Sequence, residues 1–251
     1  MNCAIIATAD HLPQAHQLGE QLHLPVFTSI PPNFDFFLHV GQRLALSSAS
    51  DLHCLVYSEF SHETMGYRLA HGGGRQQLLA RACGLKPHKN PDILDLTAGL
   101  GNDGFILASL GCHVTLLERQ PIIAALLNDG LQRAAQQRAT QAICHRIFAI
   151  QTNSLTYLQQ TPVADVIYLD PMYPKRQKSA KVNKNMQLFQ KLVGEDADAR
   201  QLLPLALACA RQRVVVKRPK NAPHLSEKQP SMMLDSKKTR YDVYMRHPIE
   251  T

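Results

Sequence analysis

The 251-residue chain reads as an α/β protein: a mostly parallel sheet of seven strands with helices on both faces, preceded by a small α/β unit. Three observations predict this. From about residue 72 onward, short runs of Val, Ile and Leu alternate with amphipathic stretches long enough for helices, the pattern of strand–helix–strand crossovers. A glycine-rich turn, "DLTAGLGNDG", follows one of these runs directly. Acidic residues close several other runs, at the strand ends beyond which open α/β sheets bind ligands.

The elements follow in order. Residues 1–65 form a small unit, with "CAIIAT" as a strand, "PQAHQLGEQLH" as a helix and "VFTSIPPNFDFFLHVGQRLALSS" as strands interrupted at Pro31-Pro32. Residues 66–251 form the larger domain. It opens with "GGGRQQLLARACGL", a glycine loop leading into a helix with Leu78, Leu79 and Ala82 on one face. Strands are expected at 92–96, 113–118, 146–150, 165–170 and 213–218, and "YDVYMR" (241–246) alternates as an edge strand would. Between them, "NDGFILASLG" is a helix stopped by Gly111, and "PIIAALLNDGLQRAAQQRA" is a long one with Pro121 in its first turn. "DARQLLPLALACAR" is a third, ahead of the strand at 213–218.

Composition narrows the function classes. No apolar run approaches the ~18 residues a bilayer span needs, and "MNCAIIATAD" lacks the basic start of a secretory signal. The six cysteines show no C-x-x-C and the twelve histidines no H-E-x-x-H, so reduced thiols, a cytoplasmic setting and no metal are expected. Charge is uneven: residues 1–65 carry one Lys/Arg against six Asp/Glu, whereas residues 161–251 carry seventeen against nine. Such a basic C-terminal part suits a polyanion.

The glycine turn contains G-x-G-x-x-G at Gly99, Gly101 and Gly104, which admits a dinucleotide. Two features argue otherwise. Asp95 is acidic inside the strand end, and Asn102 and Asp103 occupy the helix start, where a carboxylate would repel a diphosphate. A ligand with an ammonium and a sulfonium, such as S-adenosylmethionine (AdoMet), fits better. Glu118 ends the next strand, where an acid can accept from both ribose hydroxyls, and Arg119 can pack along the adenine. Asn153 and Ser154 follow the third strand and offer hydrogen bonds to the adenine edge.

The fourth strand ends in "DPMYP". Methyl transfer to an aromatic amine such as guanine N2 needs placement above all, with the nitrogen lone pair aimed at the methyl carbon. Asp170 carboxylate and the Pro171 carbonyl can accept from the two N–H groups, and Tyr173 can stack on the base. Lys175, Arg176, Lys178, Lys181 and Lys184 follow within ten residues and suit RNA phosphates; Lys217 and Arg218 close the fifth strand, and Arg75 follows three glycines.

D-x-x-x-G-x-G, the acid at the next strand end and D-P-x-Y together resemble class I AdoMet-dependent methyltransferases of amino groups, with Met172 where a second proline is usual. The strings "DLTAGLGNDGFILASLGC", "LERQPIIAALLNDGL", "YLDPMYPKRQKSA" and "VVVKRP" resemble the bacterial ribosomal RNA small-subunit methyltransferase J family from about Gly72 onward. The resemblance implies a Rossmann-like fold, AdoMet as methyl donor, and a guanine N2 of 16S rRNA in the small ribosomal subunit as acceptor. It places AdoMet contacts at Asn102, Asp103, Glu118, Arg119, Asn153, Ser154 and Asp170, with Asn102 standing where the family usually has Arg. The alternatives are a DNA or protein acceptor, an NAD(P)-binding oxidoreductase, and an RNA-binding module without turnover.

Overall fold

A computed structural model of the chain describes residues 2–61, 73–87, 89–160, 162–172, 192 and 199–246. The N-terminal part holds β1 (Cys3–Ala7), α1 (Leu12–Leu22), β2 (Val26–Phe27), β3 (Phe36–Val40), β4 (Ala45–Ser48) and β5 (Asp51–Val56). They build a five-stranded sheet in the order β2-β1-β3-β4-β5. Then come α2 (Leu78–Ala82), β6 (Ile93–Asp95), α3 (Asn102–Ser109), β7 (Val114–Glu118), α4 (Pro121–Ala135), α5 (Gln141–Cys144) and β8 (Ile147–Gln151). The chain continues through α6 (Ser154–Gln159), β9 (Ala164–Leu169), α7 (Ala199–Cys209), β10 (Ala210–Pro219), β11 (Met232–Asp235) and β12 (Thr239–Met245). These strands form the seven-stranded sheet β11-β12-β10-β9-β6-β7-β8, in which β12 alone runs against the others, pairing antiparallel with both β10 and β11.

Alternation along the strands divides the core between the two faces. Ile93, Val114, Leu116, Val166, Tyr168 and Val215 point to one side, where α2, α3 and α4 bury Leu79, Phe105 and Leu127. Leu94, Leu117, Ile167, Leu169, Val214 and Val216 point to the other, against Leu158 of α6 and Leu202, Leu203 and Ala206 of α7. Helix α4 starts where Pro121 needs no N–H partner, capped by the Gln120 side chain, whose Oε1 accepts from Ile122 N at 2.6 Å and Ile123 N at 3.2 Å.

The N-terminal sheet shares its core with the larger part. Ile5, Leu38 and Leu46 pack in one cluster with Ile122, Ile123 and Leu126 of α4. Arg133 of α4 adds polar ties, donating to Ser58 O at 2.5 Å and Glu59 Oε2 at 3.1 Å. The boundary expected between residues 65 and 66 lies outside the described residues.

Two strands depart from the sequence pattern. The segment expected at the sheet edge is β12, which sits between β10 and β11 with Tyr241, Asp242, Val243 and Tyr244 buried. The true edge is β11, whose "MMLD" shows no alternation to read, because it is mostly exposed on both faces. The strand β5 likewise escapes notice, with five of its six residues polar, cysteine or exposed leucine in an edge position.

Candidate active site

Strands β6, β7, β8, β9 and β10 run parallel, so their C-terminal residues meet along one edge. Asp95, Glu118, Asn153, Asp170 and Lys217 therefore assemble from segments scattered over more than a hundred positions of the chain.

The turn after β6 is fixed by its own hydrogen bonds. Thr97 N donates to Asp95 Oδ1 at 2.9 Å, and Ala98 N to Leu117 O at 3.0 Å. Gly99 and Gly101 both take positive φ, 54° and 80°, a region that costs an L-residue about 1–2 kcal/mol. At Gly101 a side chain would also collide, because an added Cβ would lie 2.5 Å from Leu127 Cδ1 and 3.1 Å from Phe60 Cζ. Gly101→Ala is expected to destabilise the protein by about 2–4 kcal/mol, combining backbone strain with overpacking. Thermal unfolding of the ligand-free variant checks this; an unchanged midpoint would contradict it.

Glu118 is the anchor of the turn. Its Oε2 accepts from Gly99 N at 2.9 Å and its Oε1 from Gln120 N at 2.8 Å, while the residue is 7% exposed. Each carboxylate oxygen can accept more than one hydrogen bond, so this geometry aims the acid without exhausting it. A nucleoside ribose fits here: the carboxylate is fixed beside a turn whose glycines keep side chains away from the ligand's path.

The other end of the site is a charged cluster. Lys217 Nζ lies 2.6 Å from Asp103 Oδ2 and 2.9 Å from Asp170 Oδ2. Tyr168, fully buried, donates its hydroxyl to the same Asp103 oxygen at 2.7 Å. Asp170 N donates to Thr97 Oγ1 at 2.6 Å, tying the end of β9 to the glycine turn. Burial works against the Lys217 charge, yet the Asp170 and Asp103 carboxylates outweigh it and hold the ammonium above the usual lysine range. For Asp170, partial burial raises the acid while Lys217 pulls it back down; the balance remains upward.

Asp95 lies deeper, 2% exposed. Burial lifts it from 3.8 to about 8, opposed by the Thr97 N–H and reinforced by Asp103 and Asp170. The folded chain thus keeps a proton that the unfolded chain surrenders, and stability from this group falls as pH rises from about 4 to about 8. Asp95→Asn does not titrate. Its stability margin over wild type is expected to widen across that window, by at most about 1.4 kcal/mol per pH unit, and to level off above it. Denaturant titrations at several pH values would show this, and a constant margin would refute it.

Several residues stand elsewhere than the pattern suggested. Arg75 faces away from this edge: its guanidinium donates to Lys86 O and Asn90 Oδ1 at 2.6 Å and Leu110 O at 2.7 Å, bracing the segment before β6. Arg218 is buried, donating through Nε and a terminal nitrogen to Pro223 O at 3.2 and 3.0 Å. Lys217 faces the two carboxylates rather than RNA phosphate. The reason is alternation along β10, which turns Lys217 to the Tyr168 face and Arg218 to the other. Ser154 is buried and its hydroxyl donates to Leu96 O at 2.6 Å, bracing the end of β6. Asn153 caps α6, its Oδ1 accepting from Leu155 N at 2.8 Å.

Asn102 is exposed at the start of α3, Arg119 is half-buried after β7, and Pro171 is buried after Asp170. Tyr173, Lys175, Arg176, Lys178, Lys181 and Lys184 lie outside the described residues. Sequence reasoning missed Thr97 and Tyr168. Tyr168 carried one signal, its two-residue spacing from Asp170, which puts both on one face.

A family of SAM-dependent methyltransferases matches residues 19–246. Among curated relatives, a protein of Thioalkalivibrio sulfidiphilus named ribosomal RNA small subunit methyltransferase J is 46% identical over 243 residues, covering 95% of each chain. Its namesake in Nitrosococcus oceani is 45% identical over 251 residues, covering 95% of this chain and 96% of the other. A crystal structure of a SAM-dependent methyltransferase from Neisseria gonorrhoeae superposes with a TM-score of 0.76 at 33% identity, covering 98% of this chain and 96% of that one. The likeness thus extends well into the N-terminal part, further than the motifs from Gly72 onward reveal. Among the described residues no group of side chains is arranged to hold a metal, and no helix is long and apolar enough to cross a membrane.

Proposed function

The chain belongs to the ribosomal RNA small subunit methyltransferase J family of SAM-dependent methyltransferases, and from that premise we propose that it methylates the exocyclic N2 amine of a guanine in 16S rRNA of the small ribosomal subunit. The observation that carries this reading is the end of β9. Asp170 sits there beside the glycine turn, held by Thr97 and Lys217, with the Pro171 carbonyl following at once.

Glu118 would hold the ribose of AdoMet, Gly99 and Gly101 would let it approach the backbone, and Asn102, Asp103, Arg119 and Asn153 would complete its surroundings. AdoMet, when bound, would supply an electrophilic methyl group on a sulfonium, the sulfur retaining the C–S bonding pair while the amine lone pair forms the new C–N bond. A guanine amine is a poor nucleophile because its lone pair spreads into the ring. Asp170 and the Pro171 carbonyl accept its two N–H bonds, draw the nitrogen toward tetrahedral geometry and aim it along the line of transfer. Asp170 then takes the proton the methylated nitrogen sheds and passes it to water. Tyr173 stacks on the base, and the basic run from Lys175 to Lys184 receives phosphates.

The five-stranded unit of residues 1–65 would position the substrate as an appendage to a methyltransferase domain of residues 66–251, braced through α4. A cytoplasmic site of action follows from a ribosomal substrate. The deciding experiment uses methyl-labelled AdoMet with small subunits from cells lacking this protein, followed by nucleoside analysis of the RNA. Label in N2-methylguanosine is expected. Label in another nucleoside would overturn the choice of base, and label in protein alone the choice of acceptor.

A further inference from the structure

We propose that Lys217 is a positioning residue for methyl transfer, bridging the donor and acceptor halves of the site by binding Asp103 and Asp170 at once. This rests on the proposed function of Asp170 as the amine's acceptor. The geometry is specific. Asp103 stands in the first turn of α3, directly after the glycine turn, and Asp170 stands at the end of β9. A single ammonium within 2.9 Å of both fixes their separation. It also claims Oδ2 of Asp170, which fixes the rotation of the carboxylate and directs its other oxygen.

The bridge has a second consequence, electrostatic in kind. Two carboxylates near one another disfavour each other's ionisation. The groups facing the cluster are Asp95 on β6, Asp103 on α3, Tyr168 on β9, Tyr241 on β12 and Cys83 after α2, with Arg218 further along β10. All but Arg218 are acidic or neutral. Among the described residues Lys217, ahead of the more distant Arg218, is therefore the main cation that keeps Asp170 able to receive a proton near neutral pH. Asp170 must be ionised to accept an N–H and then the proton. Without Lys217 its protonation extends to higher pH, and activity should retreat with it.

The test compares wild type, Lys217→Met and Lys217→Arg. It counts methyl label transferred to small-subunit RNA, whatever the base, across pH 6 to 10, with AdoMet affinity measured separately by calorimetry. Lys217→Met is expected to lower kcat by about tenfold or more at pH 7 and to move the acid limb of the kcat profile upward by about one pH unit, so that activity partly recovers in alkali. AdoMet affinity should change by less than about fivefold. Lys217→Arg keeps the charge and should return the limb toward its wild-type position even where geometry costs some rate. Thermal melts identify a variant that fails to fold, and if Lys217→Met does so, Lys217→Gln takes its place in the same comparison. An acid limb that stays in place in Lys217→Met would overturn the proposal, as would a limb in Lys217→Arg displaced as far as in Lys217→Met, or a kcat equal to wild type in Lys217→Met. Failure of the functional reading would look different: wild-type label would appear outside N2-methylguanosine, or Asp170→Ala would remain active.

Discussion

Asp170→Ala is expected to lower methyl transfer by ~10²- to 10³-fold in kcat, the range found when one acceptor or donor aimed at developing charge is deleted. AdoMet affinity should fall by no more than about threefold, or under 1 kcal/mol. The contrast follows from the position of the side chain. Asp170 stands at the mouth of β9, 41% exposed, where an incoming base would meet it. Glu118, the residue proposed to hold the ribose, lies two strands away, since β6 and β7 succeed β9 in the sheet. Its removal also leaves Lys217 paired with Asp103, so the fold should hold. Single-turnover label transfer at saturating AdoMet, alongside calorimetry, separates the two quantities. Sustained turnover in the variant would sink the assignment of Asp170 as the amine's acceptor.

Glu118→Ala should do the reverse. Hydrogen bonds to a charged acceptor contribute about 1.5–3 kcal/mol each, so loss of the ribose contacts is expected to weaken AdoMet binding by about 10- to 150-fold. Transfer at saturating AdoMet should stay within about threefold of wild type, because that interaction is equal in ground and transition states. Glu118→Gln is a sharper test. Its amide oxygen can satisfy Gly99 N or Gln120 N, which are 2.9 and 2.8 Å from the native oxygens, but the amide nitrogen opposes whichever remains. It should therefore disturb the turn and weaken AdoMet binding too. Unchanged affinity in both variants would remove Glu118 from the cofactor site.

Much of this was legible in the one-dimensional pattern. Val, Ile and Leu runs within 92–96, 113–118, 146–150, 165–170 and 213–218 announced the parallel strands, because buried strands must be apolar on both faces. A parallel sheet brings all its C-terminal strand ends to one edge. Asp95, Glu118 and Asp170 were therefore predictable as neighbours without any coordinate. The glycine turn was readable for a related reason: only glycine tolerates the positive φ that Gly99 and Gly101 adopt at little cost.

What the sequence could not decide was the partner of each charge. Lys217 and Arg218 are adjacent and chemically alike, yet one enters the Asp103–Asp170 cluster and the other is buried against Pro223 O. Strand alternation says that they point apart, but which face carries the carboxylates depends on where α3 packs. Arg75 likewise looked available, and three acceptors from separate segments take it. The chain alone determined the kinds of residue delivered to the edge of the sheet, since backbone periodicity is local. Only the tertiary structure decided which of them are paired, because an ion pair depends on distances across segments that the sequence holds far apart, by 114 residues for Lys217 and Asp103.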